Sequence, residues 1–109
     1  MNLDIGGAYQ GQAELAKAEN PGGEIFSEFH NTIRSAVLDE NQEPRDFARR
    51  FCAAHPDAIV VANEVGAGVV PIEASDRAFR EAVGRALCII AQEADCVTRC
   101  VCGIGVRLK

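Results

Sequence analysis

Short apolar runs alternate with amphipathic stretches along the whole chain. Ala58-Ile59-Val60-Val61-Ala62 is an unbroken apolar run of strand length, the pattern of a strand covered on both faces. Residues 2–5 read as a shorter strand, 24–26 as a stub, 96–102 as a long strand and 106–108 as a last one. Between them lie helical patterns. Residues 12–19 have helical composition, and Asn20-Pro21-Gly22-Gly23 stops them. A second helix starts near Ser27, a candidate N-cap, with Phe29, Ile33 and Val37 on one face, and residues 39–43 form a polar loop. Pro44 suits the first turn of a third helix edged by Phe47 and Phe51, which His55-Pro56-Asp57 closes. The longest helix runs from Ser75 to about Ala94 on the stripe Phe79, Val83, Leu87 and Ile90, beside Ala82 and Ala86. Its other side carries Arg77, Glu81 and Arg85 at mutually supportive i,i+4 spacing. Gly84 in mid-helix costs up to ~1 kcal/mol against Ala, which suggests close helix–sheet packing there.

Strands alternating with helices from end to end predict a single α/β domain over residues 1–109. It should be a three-layer structure with a mainly parallel sheet, right-handed crossovers and helices on both faces. Such sheets bind ligands beyond the carboxyl ends of their strands. The loops that start at Gly6, Asn63 and Gly103 hold that position.

The chemistry suggested by those loops is nucleotide chemistry with parts missing. Gly6-Gly7-Ala8-Tyr9-Gln10-Gly11 has the frame of a phosphate-binding loop, G-x-x-x-x-G-K-[ST], after a strand and before a helix. Gln12 stands where that motif has its Lys, and Ala13 where it has Ser or Thr. Glutamine donates hydrogen bonds without bringing charge, and alanine cannot hold magnesium. Both lost groups stabilise charge in phosphoryl transfer. Glycine turns between strand and helix also arise for steric reasons alone. Asn63 and Glu64 end the best-defined strand, and a carboxylate there can act as a base, hold magnesium through water or cap the next loop. Gly66 and Gly68 permit close backbone approach to a ligand or simply a tight loop. Arg77 can reach a substrate phosphate, or belong with Arg80 and Arg85 to a solvated helix face. Of the two histidines, His30 lies near Glu28 at a helix start and reads more readily as a cap or surface residue than as a nucleophile. His55 reads as structural.

Composition narrows the classes. The 109 residues carry a net charge of −5 without a basic cluster, which argues against a nucleic-acid partner. No apolar stretch approaches the ~20 residues of a membrane span, and no signal-peptide pattern opens the chain, so a cytoplasmic location is expected. The five cysteines, Cys52, Cys88, Cys96, Cys100 and Cys102, are odd in number and lack paired C-x-x-C knuckles. They read as buried free thiols rather than disulfides, and no metal-ligand set is assigned.

The block Asn63-Glu64-Val65-Gly66-Ala67-Gly68-Val69-Val70-Pro71 is joined by the opening Gly-Gly-Ala-x-x-Gly. The close, Cys102-Gly103-Ile104-Gly105-Val106-Arg107-Leu108-Lys109, completes the set. Together they resemble the adenosylcobinamide kinase / adenosylcobinamide-phosphate guanylyltransferase family of cobalamin synthesis. The resemblance covers nearly all of the chain and implies a phosphate-loop NTPase-like fold. It implies ATP or GTP with Mg2+ as cofactor, adenosylcobinamide or a related corrinoid as partner, and a possible homo-oligomer. By this resemblance Gly6, Gly7, Ala8, Tyr9, Gln10, Gly11, Gln12 and Ala13 border the nucleotide. Asn63, Gly66, Gly68 and Arg77 border the substrate, and Glu28 and Glu64 serve the catalysis. Family members also carry a guanylylated histidine in a His-His-Lys-Asp-Gly-Arg-Pro-like context, for which this sequence has no match. The implied function is phosphate transfer to adenosylcobinamide if the site is active; the alternative is a catalytically impaired binding paralogue or a partner subunit of a complete enzyme.

Overall fold

The computed structural model describes residues 1–64 and 74–109. Among the described residues five strands, β1 (Asn2–Gly6), β2 (Ile25–Phe26), β3 (Ile59–Asn63), β4 (Cys96–Val101) and β5 (Ile104–Arg107), form one sheet in the order β2-β3-β1-β4-β5. Strands β2, β3, β1 and β4 are mutually parallel, and β5 returns antiparallel to β4. The described α-helices around the sheet are α1 (Gln12–Glu19), α2 (Phe29–Arg34), α3 (Pro44–Ala54) and α4 (Ala74–Glu93). The expected three-layer α/β architecture, mainly parallel with helices on both faces, is therefore present.

Alternation of side chains along the strands divides the core. Leu3, Val60, Ala62 and Val97 face the layer of α2, α3 and α4, where they pack with Phe29, Ile33, Val83, Ala86 and Ile90. Ile59 and Val61 face the other way and meet Ala16 of α1. Phe26, Phe29, Phe47, Phe51 and His55 make a run of ring contacts with centroids 4.6–6.5 Å apart between α2, α3 and β2. The large layer thus owes its seal to aromatic residues at helical spacing. The small layer rests on one short helix.

Several expectations change in detail. Helix α2 starts at Phe29 after Glu28 in a left-handed conformation, with no side-chain cap, so Ser27 is not its N-cap. It continues as a π-helical turn, Ser35–Asp39, closed by Glu40 N–H donating to Ser35 O at 3.1 Å. The cap of α3 is Glu43, whose carboxylate accepts from Asp46 N–H at 2.8 Å. Gly84 is exposed, and a Cβ there would meet nothing within 4 Å, so close packing does not explain it. Burial of the cysteines holds only for Cys100; Cys52 and Cys96 are half-buried, and Cys88 and Cys102 are exposed. All five are free thiols. The Glu81–Arg85 ion pair forms on α4 as its spacing suggested.

Candidate functional site

Register brings the site together. Gly6 of β1 lies opposite Asn63 of β3 on one side and Cys100 of β4 on the other. Three parallel strands therefore end at one level, and the glycine loop rises between them. A Cβ on Gly6 would sit 2.7 Å from the backbone oxygen of Cys100, so only glycine fits where the loop leaves the sheet. Gly11 closes the loop at φ 86°, over Gly103, and acts as the cap of α1.

The loop is pinned from two sides. Gln10 O accepts from Gly103 N–H at 2.7 Å and from the Cys100 thiol at 3.0 Å, and Gln10 Oε1 accepts from Cys102 N–H at 2.7 Å. The tail after β4 thus braces the loop from beneath. On the other side Gln12, only 6% exposed, turns back inward. Its Nε2 donates to Asn63 Oδ1 at 2.8 Å, to Gly7 O at 3.2 Å and to Gly6 O at 3.4 Å. Glu64 N–H donates to Gly6 O at 2.7 Å, which ties the tip of β3 to the same turn.

A second tie enters from α2. Asn63 N–H donates to Nδ1 of the buried His30 at 3.1 Å. The accepting Nδ1 carries no proton, so the ring is the neutral Nε2–H tautomer. Burial holds its pKa below the usual histidine value, against a smaller opposing pull from Glu28. His30 is therefore neither a cap nor a surface residue. It orients the end of β3. Sequence pattern could not reveal this, because the partner is a backbone amide 33 positions away.

Between the loop, α1 and the start of α2 lies a cavity of about 380 Å³. It is lined by Ala8, Tyr9, Gly11, Gln12, Ala13 and Glu14 from the loop and α1, by Ser27 and Glu28 from the approach to α2, and by Val61 and Asn63 from β3. Most residues expected to border a nucleotide, together with Glu28 and Asn63, do meet in one place. Glu64 stands beside them, 3.4 Å from Arg99 Nε in an ion pair. Arg77 lies in the first turn of α4 and exposed, and is not among the cavity's lining residues. Gly66 and Gly68 lie outside the described residues.

The cavity's lining is electrically unusual for a phosphate site. Glu14 and Glu28 contribute carboxylates, and no Lys or Arg is among the described lining residues. The backbone N–H groups at the start of α1 still offer an anion cradle. The loop's own charged donor is gone. Ala13 brings no hydroxyl, so the residues present do not fit a magnesium ion held in the usual phosphate-loop manner. Among the described residues no group of three or more His, Cys, Asp or Glu side chains converges as a metal site.

A family model described as cobinamide kinase / cobinamide phosphate guanyltransferase matches residues 8–108. The chain belongs to this family. The family works in cobalamin biosynthesis, uses nucleoside triphosphates and acts on cobinamide. No curated protein matches the chain. Among the described residues, no helix is long and apolar enough to cross a membrane.

Proposed function

We propose that this chain is a binding member of the cobinamide kinase/guanyltransferase family, which holds a corrinoid or nucleotide at the glycine loop without transferring phosphate at a useful rate. The observation that carries this reading is the inward turn of Gln12. Its amide donates to two loop carbonyls and to Asn63, so the position that supplies a cation in a phosphate loop supplies an internal brace here. Loss of comparable preorganised charge contacts costs ~10²–10³ in rate, and the missing hydroxyl at Ala13 adds to that loss. Glu14 and Glu28 at the cavity further oppose a triphosphate. The absent guanylylated-histidine motif removes the nucleophile of the second half-reaction.

The other reading, phosphate transfer from ATP or GTP to adenosylcobinamide, is favoured by Glu64. Its carboxylate stands at the tip of β3, tied by its backbone to Gly6.

Melting temperatures with adenosylcobinamide, Mg·ATP and Mg·GTP, run alongside a phosphate-transfer assay, separate the two. A ligand at 100 times its Kd adds ~2.7 kcal/mol. The binding reading expects such a shift without turnover. The Gln12→Lys, Ala13→Ser double variant should bind triphosphate at least tenfold tighter than the parent. Turnover by the parent chain within tenfold of the double variant would overturn it.

A further inference from the structure

Tyr9 is the least explained residue of the site. It is fully exposed, at 103% of its reference area, and stands on the rim of the cavity. Its φ is 61°, a left-handed conformation that a bulky side chain adopts at a cost. Glu28, across the same cavity, has φ 50°. Two of the four non-glycine residues with positive φ among the described residues therefore line one cavity, and backbone strain collects where a ligand is held.

The strain at Tyr9 is imposed from below. Its neighbour Gln10 is fixed by three hydrogen bonds, from Cys100 of β4 and from Cys102 and Gly103 beyond it. The carbonyls of Gly6 and Gly7 are held by Gln12. With both flanks fixed, the Tyr9 ring is presented outward and gains no burial from the fold. A single exposed aromatic is unremarkable by itself. A strained one, on the rim of a cavity with no cationic side chain among its described lining residues, has a use: stacking replaces the ionic contacts that a phosphate site would otherwise supply.

We propose that Tyr9 is the recognition residue of this cavity and stacks on the flat face of a conjugated ring in the bound ligand. The proposal rests on the binding reading above and names the ligand chemistry it needs. That ring is a nucleobase or the corrin macrocycle. Stacking on an aromatic side chain is sequence-tolerant and contributes enough that truncation of the ring weakens binding by roughly 5- to 150-fold.

The chain contains one tyrosine and no tryptophan, so a single Tyr spin system in a proton NMR spectrum reports Tyr9 alone. Titration with adenosine, Mg·GTP and cobinamide in turn should move its ring protons upfield, saturably, for the ligand that stacks. A response to adenosine and GTP assigns the nucleobase, and a response to cobinamide alone assigns the corrin. Calorimetry then compares variants. Tyr9→Phe should keep Kd within about twofold, and Tyr9→Ala should weaken it by at least fivefold at unchanged melting temperature. Binding of any of these ligands with still Tyr9 resonances and an unaffected Tyr9→Ala variant overturns the stacking role and leaves the binding reading in place. Failure of all three ligands to bind overturns both.

Discussion

Asp4 offers the sharpest test of the fold's electrostatics. It sits in the middle of β1, between Val61 of β3 and Thr98 of β4, and is 4% exposed. One carboxylate oxygen, Oδ2, is buried without a hydrogen-bond partner among the described residues. Burial, followed by the nearby Glu19, raises its pKa from 3.8 to about 6. The folded protein thus holds this proton more tightly than the unfolded chain does. The associated stability is complete below about pH 4 and is lost as the pH rises through about 6, which at neutral pH corresponds to at most about 3 kcal/mol. Asp4→Asn keeps the shape and cannot ionise. At pH 7.5 it should be about 2–3 kcal/mol more stable than the parent, and at pH 3.5 the two should nearly coincide. Urea unfolding followed by circular dichroism at both pH values measures the gap, expected as a midpoint shift of ~1–2 M at pH 7.5 for a typical urea slope. A gap that stays constant between the two pH values, or a parent more stable than the variant at pH 7.5, refutes the argument.

The tie from α2 carries the opposite pH sign. Because burial depresses the His30 pKa, its contribution is present above the unfolded value near 6.5 and falls away as the pH drops through the folded value. In the Asp4→Asn background, which removes the competing titration, stability should therefore decline on acidification. His30→Phe should remove the part of that decline nearest neutral pH, Glu43 and Asp95 keeping theirs at lower pH, and cost about 1–3 kcal/mol, because Asn63 N–H loses its acceptor. Gly6→Ala should destabilise by several kcal/mol, read as a drop in melting temperature. Its Cβ would press on the Cys100 backbone oxygen, which cannot move without breaking the β1–β4 register.

Most of the fold was legible because its signals are local. The run Ala58-Ile59-Val60-Val61-Ala62 has no reading compatible with an exposed strand, and β3 lies within one residue of it. Helix α1 has the bounds expected from its composition and its Asn-Pro-Gly-Gly stop. What failed depended on distant partners. Ser27 has the chemistry of a cap, but the chain turns left-handed at Glu28 and α2 starts one residue later. The antiparallel direction of β5 was open, since residues 106–108 alone do not say which way a closing strand runs; the two-residue link Cys102-Gly103, with φ of 50° and 78°, turns it back on β4. The expected burial of the cysteines also turned on neighbours far along the chain. Cys100 lies under the glycine loop, whereas Cys102 has already left the strand.

At the site, sequence identified the altered positions but not what replaced the missing chemistry. Gln12 was legible as a lost lysine. Its three donor contacts were not, because they depend on Gly6, Gly7 and Asn63 arriving at one level through the β1–β3 register. A lysine in the same place would aim a charge at a ligand, whereas the shorter neutral amide reaches only the loop carbonyls and the Asn63 side chain beside them. The substitution therefore does more than subtract a catalytic group. It turns the donor back onto β1 and β3, and on the binding reading proposed above this leaves backbone amides and Tyr9 to hold what enters the cavity. On this argument Gln12→Ala and Gln12→Lys should diverge: the first loosens the loop and lowers stability by about 1 kcal/mol, and the second loosens it while gaining triphosphate affinity. If both changes left stability and affinity alike, Gln12 would be a passive remnant and the brace of no consequence.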